Sequence, residues 1–260
     1  MPEEINTTEQ TEQENQDLKT EETPEAQEAQ QEEAALSEEP SPIIDYKDVT
    51  IAQDRVVLSN IDLKIKEGEF VYLIGKTGTG KSSLLKSIYA DVPLSEGQAT
   101  VCDMPLKGIR RKDISMLRRK LGIVFQDFQL LQDRNVFDNI AFVLRAIGIK
   151  DKEQIEEKVS STLKDVGMYE KKDVMPYHLS EGEMQRVAIA RAIVNSPKLI
   201  LADEPTGNLD PITSEDILKL LLKINKENNT TILMATHDYI IIEKFPQRVI
   251  CCEKGKLINA

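Results

Sequence analysis

Eight residues, Gly75-Lys76-Thr77-Gly78-Thr79-Gly80-Lys81-Ser82, have the types and spacing to grip a polyphosphate. They fit the pattern G-x-x-x-x-G-K-[ST]. The glycines let the backbone wrap closely round an anion with its N–H groups turned inward. A helix starting at the end of the run adds its positive pole. Lys81 is then expected to reach the β- and γ-phosphates of a nucleotide, and the Ser82 hydroxyl to hold Mg²⁺.

The run must sit between a strand and a helix. Phe70 to Ile74 reads as a buried strand and Ser82 to Tyr89 as the helix it feeds. A second apolar run, Leu199-Ile200-Leu201-Ala202, suits a strand buried on both faces of a parallel sheet and ends in Asp203-Glu204. Ligands of open α/β sheets lie outside the carboxyl ends of the strands. Asp203 is therefore expected to bind Mg²⁺ and Glu204 to polarise an attacking water as general base. Two more residues follow strands. Gln126, after Leu121–Phe125, is placed to reach both Mg²⁺ and that water. His237, after Ile232–Ala235, is placed either to reach the γ-phosphate or to serve as a structural or helix-capping residue.

Other elements frame these residues. Ile43–Tyr46, Val56–Leu58 and Ile61–Ile65 read as several short strands, closed by a turn at Glu67-Gly68-Glu69. Residues 134–194 are mostly helical by periodicity, with an amphipathic stretch over Asp151–Val166 and an irregular one over Gly167–Leu179. Ser180 with Glu183 forms a capping box that opens a helix from Met184 to Val194. Ser214–Asn225 is a further helix. Strands alternating with helices predict an α/β fold with a helical insertion over about 127–190.

Together the motifs resemble those of ABC ATPases, in order and spacing, over residues 43–258. Gly75–Ser82 is similar to Walker A and Leu199–Glu204 to Walker B. Gln126 matches the Q-loop, Asn208-Leu209-Asp210 the D-loop, His237 the switch histidine, and Leu179–Gln185 the LSGGEQQ signature. The resemblance implies a P-loop NTPase of ABC type: a core parallel sheet with helices, an antiparallel β subdomain and a helical subdomain. It implies ATP and Mg²⁺ as ligands. Gly75, Lys76, Thr77, Gly78, Thr79, Gly80, Lys81, Ser82 and Ser83 would contact the nucleotide, with Ser82, Gln126 and Asp203 on the metal and Glu204, His237 and Gln126 in catalysis. It implies a homodimer that forms on ATP binding, each ATP lying between the P-loop of one chain and Ser180 and Gly182 of the other. Asp210 would reach across that interface.

The stretch Asp203–Asp210, with Leu117–Gly122 leading into Phe125–Phe128, resembles the FtsE family of bacterial cell-division ATPases within a branch that includes lipoprotein-release and macrolide-export ATPases. This implies an integral membrane partner, an FtsX-like permease, and a cytoplasmic chain held at the inner face of the membrane through it. Phe128, Leu130 and Leu131 would line the groove that receives the partner. A soluble ABC protein of DNA repair or translation, and a nucleotide-gated scaffold with little turnover, are the other readings.

Two departures stand out. No aromatic residue stands at Ala52 or Gln53 to stack on adenine, and Tyr46 falls inside a strand. Glu181 replaces the first signature glycine, and its carboxylate is expected to point away from the phosphate.

Composition sets bounds. The net charge of −12 is concentrated at the start: residues 1–42 hold fourteen acids and one base, which leaves the rest at +1. That segment is too polar to bury a core and is expected to be a disordered acidic tail, followed by one ATPase domain over 43–260. The near-neutral body lacks the basic footprint of a nucleic-acid binder. No signal peptide and no membrane-spanning run is read. Cys102, Cys251 and Cys252 read as reduced structural thiols.

Overall fold

The computed structural model describes residues 42–259; the acidic segment before Pro42 lies outside the described residues. Two sheets organise the chain. The first is antiparallel, in the order β2-β1-β4-β5, with β1 Pro42–Ala52, β2 Val56–Lys66, β4 Leu94–Val101 and β5 Met104–Pro105. The second runs β10-β9-β3-β8-β7-β6, with β3 Phe70–Ile74, β6 Leu121–Val124, β7 Leu199–Asp203, β8 Thr231–Thr236, β9 Arg248–Glu253 and β10 Lys256–Ile258. Its strands are parallel except β10, which pairs antiparallel with β9.

The apolar runs explain the parallel sheet. Every residue of β8 is buried, as are the first four of β3 and of β7. Strands of this kind are covered on both faces. Their register positions the chemistry. Ile74 lies opposite Thr236, Asp203 opposite Ala235 and Val124 opposite Ala202. Four strands therefore end together. The segments that follow them (Gly75 onward, Gln126, Glu204 and His237) leave the sheet along one edge.

Between β6 and β7 stand α3 Val136–Ala146, α4 Lys152–Asp165 and α5 Glu181–Ile193. Ile140, Leu144, Ile155, Val159, Leu163 and Val187 join one apolar cluster. Asn135 and Asp151 cap α3 and α4 by accepting from the N–H of Asp138 and Glu153. The helix that follows the glycine-rich run is α1, Lys81–Ile88; α6 spans Pro211–Asn228 and α7 Tyr239–Lys244.

The structure corrects one part of the sequence reading. The short strands expected over 43–65 are two strands of eleven residues each. The polar Ser59-Asn60 does not end β2, because Asn60 adopts φ 51° and donates its side-chain amide to Asp48 Oδ1 at 2.7 Å. Asp48 itself has φ 50°, and the pairing shifts register between Tyr46 and Val49. Side-chain bonding of this local kind lets Asn and Asp take left-handed conformations at a bulge. All three cysteines are free. Cys251 is half-buried and Cys252 buried, on alternate faces of β9; burial pushes the Cys102 thiol up to about 11.

Candidate nucleotide site

The glycine-rich run connects β3 to α1. Gly75 has φ 151°, and a Cβ there would lie 2.4 Å from the Cys252 carbonyl oxygen and 2.8 Å from Thr79 Oγ1. Gly80 has φ 111°, and a Cβ there would lie 3.0 Å from the Leu58 side chain. Glycine is thus required for both conformation and space. Thr79 donates its N–H and its hydroxyl to the Lys76 carbonyl, which closes the loop on itself.

Lys81 is only 6 % exposed. Its ammonium donates to the Gly75 carbonyl at 2.7 Å and stands 3.5 Å from Glu204 Oε1. The other Glu204 oxygen, Oε2, lies 2.6 Å from His237 Nδ1. Glu204 has φ 50°, and its N–H donates to the Ala235 carbonyl at 3.0 Å. A non-glycine residue held in this conformation is strained by about 1–3 kcal/mol, and such residues cluster at functional sites. The strain turns the carboxylate back over the end of the sheet, between an ammonium and an imidazole.

Asp203 faces the base of α1. Burial pushes its carboxyl up, while a hydrogen bond from Ser82 pulls it down. Its Oδ1 is buried without a hydrogen-bond partner among the described residues. Buried polar atoms are rarely left so. With the Ser82 hydroxyl beside it and Gln126 lining the same space, these few hard oxygen donors fit Mg²⁺, which takes one or two protein ligands and completes its shell with phosphate and water.

A cavity of about 580 Å³ gathers the loop residues Thr77, Gly78, Gly80, Lys81, Ser82 and Ser83 with Gln126, Glu204 and His237. Its remaining wall is Gln53, Asp54, Arg55 and Val57 from the turn between β1 and β2 and the start of β2. Sequence reasoning missed Asp54, Arg55 and Val57: nothing in a charged turn signals that it folds over a loop far along the chain. None of the lining residues is Phe, Tyr or Trp. Tyr46 is buried and its hydroxyl bonds the Ser87 hydroxyl at 3.1 Å, so it cannot face a ligand.

Ser180, Gly182 and Asp210 do not line this cavity. Ser180 caps α5: its hydroxyl accepts from the Glu183 N–H, and the Glu183 carboxylate accepts from the Ser180 N–H. Glu181 is exposed at the first position of the helix. A Cβ on Gly182 would lie 2.5 Å from Thr213 Cγ2, so this glycine lets α5 approach α6. Asp210 caps α6 by accepting from Ile212 and Thr213 N–H; the Thr213 hydroxyl, which donates to its other oxygen, and then these N–H groups hold its carboxyl below the usual range.

The capping box carries a prediction. Lys171 first, then the Ser180 N–H, hold the Glu183 carboxyl below its ordinary value. A depressed acid stabilises the fold above its unfolded-state pKa, and the contribution is lost as pH falls through the folded-state value. Glu183→Ala should cost about 1 kcal/mol in denaturant unfolding at neutral pH. Glu183→Gln, which keeps an acceptor but no charge, should fall between the two and converge with wild type in acid.

The sequence pattern of the ABC transporter family matches residues 58–207, from β2 through the loop after Glu204. This chain belongs to the ABC transporter family. Its fold is that of the ABC ATPases. The chain is 43% identical over 219 residues to the cell division ATP-binding protein FtsE of Streptococcus pneumoniae, a match that covers 84% of this chain and 94% of that one. It is 41% identical to the methionine import ATP-binding protein MetN of Clostridium tetani, covering 84% of this chain and 68% of that protein. Among solved structures it is similar to a dimeric ATP-binding cassette in a post-hydrolysis state bound to ADP and Pi, with TM-score 0.73, 33% identity, and coverage of 82% and 96%. As in other ABC ATPases, ATP is the nucleotide and its hydrolysis the reaction of this family.

Proposed function

We propose that residues 43–260 form one ATPase domain that dimerises around ATP and drives an integral membrane partner, in the manner of FtsE with an FtsX-like permease. The observation that carries this reading is the incompleteness of the cavity. One chain supplies the phosphate loop, Gln126, Glu204 and His237, but leaves Ser180 and Gly182 elsewhere. A second copy, turned head to tail, would bring them. Ile212 and Ile240, 77 % and 78 % exposed, flank Asp210 and His237 and would be covered in such a pair. Nearly full-length agreement with FtsE, against partial agreement with MetN, favours the cell-division type.

In this reading Lys81 and the inward N–H groups of Gly75–Ser83 hold the phosphates. Ser82, Asp203 and Gln126 hold Mg²⁺, which when bound draws charge from the phosphate oxygens. Glu204 orients the attacking water and accepts its proton, while His237 fixes the Glu204 carboxylate and reaches the γ-phosphate. Catalysis is then mostly positioning and charge stabilisation. The γ-phosphate competes for Lys81, so nucleotide binding releases Glu204 toward the water.

In this reading the partner docks in the apolar groove of about 460 Å³ lined by Leu131, Phe142, Val143 and Ile147 beside Phe125 and Gln129. Of the three residues expected there, Leu131 lines the groove; Leu130 is buried in the helical core and Phe128 packs against it. Leu131→Glu with Phe142→Glu should leave basal phosphate release within about twofold, since surface changes away from the site are small, and abolish stimulation by the reconstituted membrane partner. Undiminished stimulation would remove the groove from the partner contact.

A further inference from the structure

Residues 107–120 hold seven bases (Lys107, Arg110, Arg111, Lys112, Arg118, Arg119 and Lys120) and one acid, Asp113, although the chain after its acidic start is nearly neutral. Most of the segment forms α2, Arg111–Arg119. At 100° per residue, Arg118, Arg111, Ser115, Arg119, Lys112 and Met116 follow one another round an arc of about 160°. All six are exposed, Met116 by 57 %. Leu117, on the other side, is fully buried and anchors the helix to the body.

Among the described residues, carboxylates do not neutralise this face. Asp113 pairs with Arg110 at 2.7 Å and Asp91 with Arg118 at 3.5 Å. Nearby Asp103 pairs with Lys198 at 4.0 Å. Lys107, Arg111, Lys112 and Arg119 have no ion pair among the described residues. The helix is short and convex, with one long apolar side chain among cations and no aromatic ring on which a base could stack. Ser115, Arg118 and Arg119 also line the apolar groove described above.

We infer that the exposed face of α2 binds the anionic phospholipid headgroups of a membrane surface. Clusters of four to eight Lys or Arg beside a membrane bind acidic lipid in this way, and an apolar residue among them enters the headgroup boundary. The inference rests on the proposed groove only for its orientation: a face bordering the partner's docking place is turned to the same bilayer. Lipid contact would hold the ATPase against the membrane even when the partner is absent.

The test is sedimentation of the full chain, without partner, with vesicles of phosphatidylcholine alone or mixed with phosphatidylglycerol. Binding is expected to the mixed vesicles only, and to disappear as salt is raised toward ~1 M, where screening reaches about 3 Å. Arg111→Glu with Lys112→Glu should weaken it roughly tenfold or more. Both changes fall in the first helical turn, where acids favour the helix, and unchanged basal ATPase reports an intact fold. Equal binding to both vesicles, no binding to the mixed ones at low salt, or a variant that binds like wild type would overturn the inference. So would capture of an acidic peptide by a chain that ignores both vesicles, which would assign the face to a protein. None of these results bears on Leu131→Glu with Phe142→Glu, so the groove stands or falls separately.

Discussion

Glu204→Gln is expected to cut ATP turnover by ~10³-fold while nucleotide affinity holds or tightens; general-base removal is worth 10² to 10⁴. The carboxylate is poised by two contacts, Lys81 at 3.5 Å and His237 at 2.6 Å, and by a left-handed backbone that no neighbour shares. The amide keeps the shape but cannot take a proton. It also carries no charge, so Lys81 loses its competitor and is freer for the γ-phosphate. A carboxylate with a purely structural role would give another pattern: normal turnover, or lower stability and weaker binding together. Phosphate release and a fluorescent-nucleotide titration on the same preparation separate these outcomes.

Gly75→Ala is expected to abolish measurable nucleotide binding and to destabilise the chain by about 3 kcal/mol or more. The added methyl would meet the Cys252 carbonyl oxygen at 2.4 Å. That atom is backbone in β9, which pairs with β3 through Ile74 and Cys251, so it cannot swing aside. The φ of 151° adds its own strain. The loop must move, and with it the Gly75 carbonyl that accepts from Lys81. Cys252→Ala should not rescue the variant, because the clash is with the main chain. Urea unfolding of the single and double variants checks this, and a rescued double variant would show that side-chain packing had been the obstacle.

The sequence was most legible where one physical demand dominates. Leu199–Ala202 and Ile232–Ala235 are apolar throughout because both sheet faces are covered, and the glycine-rich run stands where strand and helix patterns meet. Ser180 and Glu183 form the reciprocal cap that their spacing predicts. Legibility failed where tertiary pairing overrides local pattern. Leu94–Val101 contains Ser-Glu-Gly-Gln, yet is a strand because β1 pairs with it from Ile44 to Ile51. α2 has a single buried residue, Leu117, and so offers no apolar stripe to read. At the site, Gln126, Glu204 and His237 could be placed at strand ends, but not the hold that Lys81 and His237 keep on Glu204. The cavity wall at Arg55 and Val57 was invisible because the β1–β2 turn meets the phosphate loop only in three dimensions.

The central claim is that a single chain holds half of a composite ATP site. Its most direct test is the mass of Glu204→Gln measured by light scattering with and without ATP and Mg²⁺. A monomer without nucleotide, a dimer with it, and loss of that dimer when Ser180→Arg is added are the expected results. A monomer at saturating ATP, or a dimer indifferent to ATP and to Ser180, would contradict that claim.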